Sequence, residues 1–135
     1  MGRVDERIEA FLAAGPWGVA GASSDRSKYG NMVLRCYLQH DLLPVYPFNP
    51  RESEVEGVAA YKDLASAPER VRSLSIITPP PVTERIVREA AEHGVEHVWM
   101  QPGAESREAV SLCAELGLEA IHGGPCLLVV LGFRG

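Results

Sequence analysis

The sequence predicts an α/β fold: one domain over residues 1–135, with a doubly wound, mainly parallel sheet flanked by helices. Three observations lead there. Short apolar runs alternate with segments of helical period, as in successive βαβ units. The runs end near residues 22, 49, 78, 101 and 122, and this spacing of about 20 to 30 residues is that of a strand plus its crossover. A chain of 135 residues also buries one core well and leaves no room for a second module.

The elements follow in order. Residues 3–14 carry Val4, Ile8, Phe11 and Leu12 on one face of a helix that Gly15-Pro16 ends. Trp17–Ala20 lacks helical period and reads as a buried strand. Residues 29–40 place Met32, Val33, Cys36 and Tyr37 on one side of a second helix, and Leu42–Phe48 forms a strand that Asn49-Pro50 stops. Arg51–Arg72 is the least regular part: a polar loop, a short helix around Tyr61–Ala67, then a turn at Pro68. Ser73–Thr78 is the third strand. Of the prolines after it, Pro81 can open the next helix, whose buried face holds Val82, Ile86, Val87 and Ala90. Gly94 ends that helix, Val95–Met100 is a strand, and residues 105–116 form a helix capped by Gly117. Leu118–Ile121 is the last strand, before the turn His122-Gly123-Gly124-Pro125 and an apolar segment.

Composition narrows the function classes. Hydrophobic residues make up 46% and charged residues 23%, ordinary for a soluble globular protein. No apolar run approaches the ~20 residues of a membrane span, and the opening MGRVDERIEAFL has no apolar signal core, so a cytoplasmic protein without membrane association is expected. Three scattered cysteines fit free thiols, and no residues are spaced to bind a metal. The net charge of −5 argues against nucleic acid as a partner, so an anionic ligand would need a local cationic pocket. A protein partner or a homo-oligomer stays open.

The organising stretch is Trp17–Asn31, WGVAGASSDRSKYGN, which passes from strand through a small-residue loop into a helix. Gly21 lets the chain turn. Ala22, Ser23 and Ser24 are small enough for their backbone N–H groups to face an anion, and the helix opening near Lys28–Asn31 adds a positive dipole end, with Lys28 and Arg26 adding full charge. Such residues also fill plain turns. Neither G-x-G-x-x-G nor G-x-x-x-x-G-K-[ST] is intact, so a nucleotide triphosphate hydrolase is not expected.

Right-handed crossovers bring all the strand ends to one edge, where the polar and Pro/Gly-rich loops would surround one crevice. Asn49-Pro50-Arg51 stands where a dinucleotide enzyme carries an acid for the ribose, and suits an adenine site with an extra phosphate better than NAD. Thr78-Pro79-Pro80-Pro81 makes a stiff ledge without amide donors, either for a base or only to start a helix. Gln101-Pro102-Gly103 offers an amide and a close backbone approach, or a loop of structural use only. His122 and Cys126 lie at the crevice edge without a third orienting partner, so no catalytic residue is assigned. The Cys126 thiol, leading into the apolar run Leu127–Leu131, is expected to react slowly, and Cys36 and Cys113 are expected in the core.

Taken together, GASSDRSKYGN, VYPFNP, IITPPP, VWMQPG and HGGPC resemble the CoA-binding family, the Rossmann-like domain that opens the α subunit of succinyl-CoA synthetase and also occurs in small stand-alone proteins. The resemblance spans nearly the whole chain and implies coenzyme A, free or acylated, as ligand. It gives the diphosphate to Gly21, Ala22, Ser23 and Ser24 with Lys28 nearby, and the adenine and ribose phosphate to Asn49, Pro50 and Arg51. Thr78, Pro79 and Pro80 would flank adenine or the pantetheine arm, which runs on along Gln101 and Gly103. The synthetase's phosphohistidine domain has no counterpart in this chain, so its ligase activity is not implied. GGPC also departs from the synthetase's Gly-Pro-Asn-Cys, which leaves Cys126 without an assigned role. Two rivals are an NAD(P)-linked oxidoreductase on the same fold and a nucleotide-sensing regulatory or interaction module.

Overall fold

The computed structural model describes residues 2–135. In chain order it holds α1 (Gly2–Ala13), β1 (Trp17–Ala20), α2 (Tyr29–Gln39), β2 (Val45–Phe48), β3 (Glu54–Val55), β4 (Val58–Ala59), β5 (Ser73–Ile76), α3 (Pro80–Glu92), β6 (His97–Met100), α4 (Arg107–Leu116), β7 (Glu119–Ile121) and α5 (Leu127–Leu131). Five strands form a parallel sheet in the order β2-β1-β5-β6-β7. The fold is Rossmann-like α/β. The chain leaves β1 to one side for β2 and returns to its other side for β5, so strand order switches between β1 and β5. Loops leaving the two strands there diverge and open a crevice. Phe48, Ala20, Ile76 and Met100 lie side by side in register, so four loops leave the sheet from one level.

Both faces of the sheet are covered, which is why strands β1 and β5 are buried along their whole length, Ser73 and Ser75 of β5 included. On one face Leu74, Ile76, Val98 and Met100 pack with Val87 and Ala90 of α3 and with Leu112 and Cys113 of α4. On the other, Val19 and Trp99 pack with Phe11 of α1, with Val33, Leu34 and Tyr37 of α2, and with Leu127 of α5. Most buried polar groups are paired, the exception among the described residues being His97 Nδ1. The Tyr37 hydroxyl meets Ser75 Oγ at 2.7 Å, Trp17 Nε1 donates to Phe11 O at 3.0 Å, and Trp99 Nε1 donates to Pro125 O at 3.0 Å. Burial pushes the Tyr37 phenol far above its usual range.

The structure corrects several sequence expectations. The polar loop after Arg51 contains the hairpin β3–β4, whose turn residues Glu56 (φ 50°) and Gly57 (φ 78°) both take the left-handed backbone that two-residue hairpins favour. The helix expected around Tyr61–Ala67 shrinks to one 3-10 turn, Leu64–Ser66, with Asp63 accepting from Ser66 N. The second strand starts at Val45 rather than Leu42, because Pro44 interrupts the run. Pro47 is tolerated because β2 is an edge strand. The third strand ends at Ile76 rather than Thr78, and α3 opens at Pro80 rather than Pro81. The fourth begins at His97 and the last at Glu119. The closing apolar segment is the short helix α5.

Candidate functional site

The first loop and the start of α2 are built against each other. Gly21 takes φ +94°, and Gly30 of α2 lies so close beneath it that a β-carbon there would stand 1.9 Å from Gly21 O. This contact brings the first turn of α2 under the loop. Lys28 is the N-cap, extended in backbone and without a side-chain cap bond; Asn31 N and Met32 N donate to its carbonyl, each at 3.1 Å, so the Tyr29 and Gly30 N–H groups are left for another acceptor. Tyr29 and Gly30 line a cleft together with Ala22, Ser23, Lys28, Asn49, Thr78 and Pro79. Ser24 stands outside this lining, with its hydroxyl donating to Glu52. Ser27 donates to Asp25 Oδ1 from Oγ at 2.6 Å and from N at 3.0 Å, which holds that carboxyl below its usual range.

Two asparagines fasten these loops. Asn31 Nδ2 donates to Ser23 O at 2.8 Å and to Glu56 Oε2 at 2.9 Å, while its Oδ1 accepts from Arg35 Nε at 2.7 Å. Asn49 Nδ2 donates to Ala22 O at 2.9 Å, and its Oδ1 accepts from Arg51 N at 2.7 Å and Glu52 N at 3.0 Å. Next to Asn49, Phe48 and Pro50 face Val82 and Ile86 of α3 across a slot of about 330 Å³ that Lys62 and Arg85 also line. Neither cation was marked by the sequence, since Lys62 lies in the irregular segment and Arg85 on α3, just outside the motifs. Arg51 is exposed and outside the lining of that slot.

The crevice continues as a cleft of about 460 Å³ lined by Tyr29, Ile77, Thr78, Pro79, the stretch Gln101–Ala104, and Cys126. Thr78 is tied to α3, its carbonyl accepting from Thr83 Oγ1 at 3.1 Å. Pro80 opens α3 and lies outside this lining. Gln101 is 3% exposed and its amide is engaged internally: Oε1 accepts from Leu127 N at 2.8 Å and Nε2 donates to Cys126 Sγ at 3.3 Å. It therefore positions the last loop. Glu105 does the same from the rim, accepting from Gly103 N and from Gly123 N, each at 2.9 Å.

His122 is a correction. It lines a separate groove with Arg3, Val4 and Arg7, because β7 is the outermost strand and its end faces α1. Of the two residues expected at the crevice edge, Cys126 lines the crevice and His122 does not. Cys36 and Cys113 are in the core, as expected, with burial pushing both thiols up to about 11. Alkylation of the native protein at neutral pH should be slow and confined to Cys126, the one half-buried thiol, and peptide mapping checks this. Early labelling of Cys36 or Cys113 would contradict the packing.

Residues 16–132 match the family of the CoA binding domain. The chain belongs to the CoA-binding domain family. This CoA-binding domain is 38% identical over 118 residues to the α subunit of an ADP-forming acetate–CoA ligase of Pyrococcus furiosus, a match covering 78% of this chain and 26% of that subunit. The chain thus spans about a quarter of that curated relative. Among solved structures, a conserved hypothetical protein of Pyrococcus furiosus superposes with a TM-score of 0.78 at 34% identity, covering 84% of this chain and 97% of that one. A hypothetical protein of Pyrococcus horikoshii gives 0.85 at 26% identity over 93% and 87% of the two chains. The CoA-binding domain has no helix long and apolar enough to cross a membrane, and no cluster of three or more metal-ligating side chains, among the described residues.

Proposed function

We propose that this chain holds coenzyme A or an acyl-CoA along the carboxyl edge of its sheet and performs no catalysis of its own. The observation that carries the reading is the uncapped start of α2, set under the first loop at the strand-order switch and flanked by Lys28. There the diphosphate would lie against Gly21, Ala22 and Ser23, with Ser24 at the rim. The adenine would enter the slot between Pro50 and α3, with Asn49 fixing its loop and Arg51 free to meet the ribose phosphate. The pantetheine arm would pass Thr78, Pro79 and the end of α3 at Pro80, then follow Gly103 along the loop that Gln101 holds. Cys126, at the far end, has no base beside it, since His122 is elsewhere.

An NAD(P)-linked role is disfavoured because the residue after β2 is Asn49, whose oxygen already accepts two backbone N–H groups. CoA should therefore raise the melting temperature more than NAD at equal concentration, and a ligand at ~100 times its Kd adds about 2.7 kcal/mol. An equal or larger shift with NAD would count against the reading. Arg51→Ala should weaken CoA more than dephospho-CoA, by about 1.5–3 kcal/mol if the contact is charge-assisted. Calorimetry with both ligands measures the difference, and equal losses would remove Arg51 from the ribose phosphate.

A further inference from the structure

We propose that the far end of this cleft accepts neutral acyl thioesters and rejects those ending in a carboxylate, with Glu105 as the discriminating residue. The inference rests on the CoA reading above for the direction in which the ligand lies. Two backbone N–H groups from separate loops, those of Gly103 and Gly123, converge on one carboxylate, which is the arrangement that recognises an anion. The protein fills it with its own Glu105. A ligand carboxylate arriving there meets a like charge and finds both amides occupied. The side-chain amide in reach, that of Gln101, is engaged with Leu127 N and Cys126 Sγ.

The walls fit a neutral chain. Ile77, Pro79, Pro102 and Ala104 line this stretch, and no lysine, arginine or histidine is among its lining residues. Space is available beside the lining residue Gly103, where an added β-carbon would meet nothing within 4 Å. Selection is therefore by charge rather than by length. Two acyl groups of four carbons, butyryl and succinyl, differ mainly in the terminal carboxylate and make the test.

Calorimetric Kd values for CoA, butyryl-CoA and succinyl-CoA are measured on the intact chain and on two variants. Succinyl-CoA is expected to bind the wild type about tenfold more weakly than butyryl-CoA, the size of a like-charge contact partly screened by water. Glu105→Gln should close most of this gap. Pro102→Lys, which adds a cation at an exposed lining position and leaves Glu105 in place, should narrow it as well if the acyl end lies here, and so checks the position separately from the role of Glu105. Equal binding of the two thioesters by the wild type overturns the proposal, as does a gap that Glu105→Gln leaves unchanged while the variant keeps its affinity for free CoA. If free CoA itself fails to bind, the reading beneath falls and the proposal with it. CoA binding without discrimination overturns the proposal alone.

Discussion

Gly30→Ala is expected to abolish measurable CoA binding and to destabilise the chain by about 2 kcal/mol or more. The new methyl would stand 1.9 Å from Gly21 O and 2.9 Å from Gly21 C, and backbone cannot swing aside as a flexible side chain can. Relief requires α2 to move off the first loop, which takes the Tyr29 and Gly30 N–H groups away from the cleft that these residues line. Urea denaturation reads the stability and calorimetry the binding. Gly117→Ala is the control: that residue sits at φ +78° in open space at the end of α4, so the substitution strains the backbone by about 1 kcal/mol without touching the site. A Gly30→Ala protein of native stability and undiminished CoA affinity would refute the docking of helix on loop.

Asn49→Asp is expected to cost about 1.5–3 kcal/mol of CoA affinity, roughly 10- to 100-fold in Kd. The carboxylate can still accept from Arg51 N and Glu52 N, so the second loop keeps its turn. What it loses is the donor to Ala22 O, and what it brings is a negative charge beside the place proposed for the diphosphate. Asn49→Ala separates the two effects, since it removes the staple without adding charge and should lose more stability but less affinity than the aspartate. Equal affinities for the two variants would mean that no phosphate lies near this position.

The chain order of strands and helices was readable because each strand is a short apolar run closed by Gly, Pro or Asn, as at Ala20-Gly21 and Phe48-Asn49-Pro50. The hairpin β3–β4 was not, because two-residue strands show no period. The polar loops were rightly expected at one edge, yet their side chains proved harder to read. Asn49 and Gln101 stood out as polar groups in a motif, and both spend their hydrogen bonds largely on neighbouring backbone. Asn31 reads in the sequence only as part of the helix opening, its side chain without a role: it lies in the first turn of an amphipathic helix, and its partners Ser23, Glu56 and Arg35 come together only in the fold. Lys62 and Arg85 belong to the irregular segment and to α3, and only packing puts them beside Pro50. His122 was misplaced because closeness in sequence to a strand end does not say which neighbour that end faces.

Asn31, Asn49, Gln101 and Glu105 each tie an edge loop to another segment of the fold. The entropy of arranging those loops is thus lost when the chain folds, not when a ligand arrives. CoA is long, with many rotatable bonds, and it would bring nearly all the disorder that association must remove. Stiffening the ligand, for instance by shortening or cyclising its pantetheine arm in the bound shape, is then the change that would tighten the complex, whereas stiffening the protein further would do little.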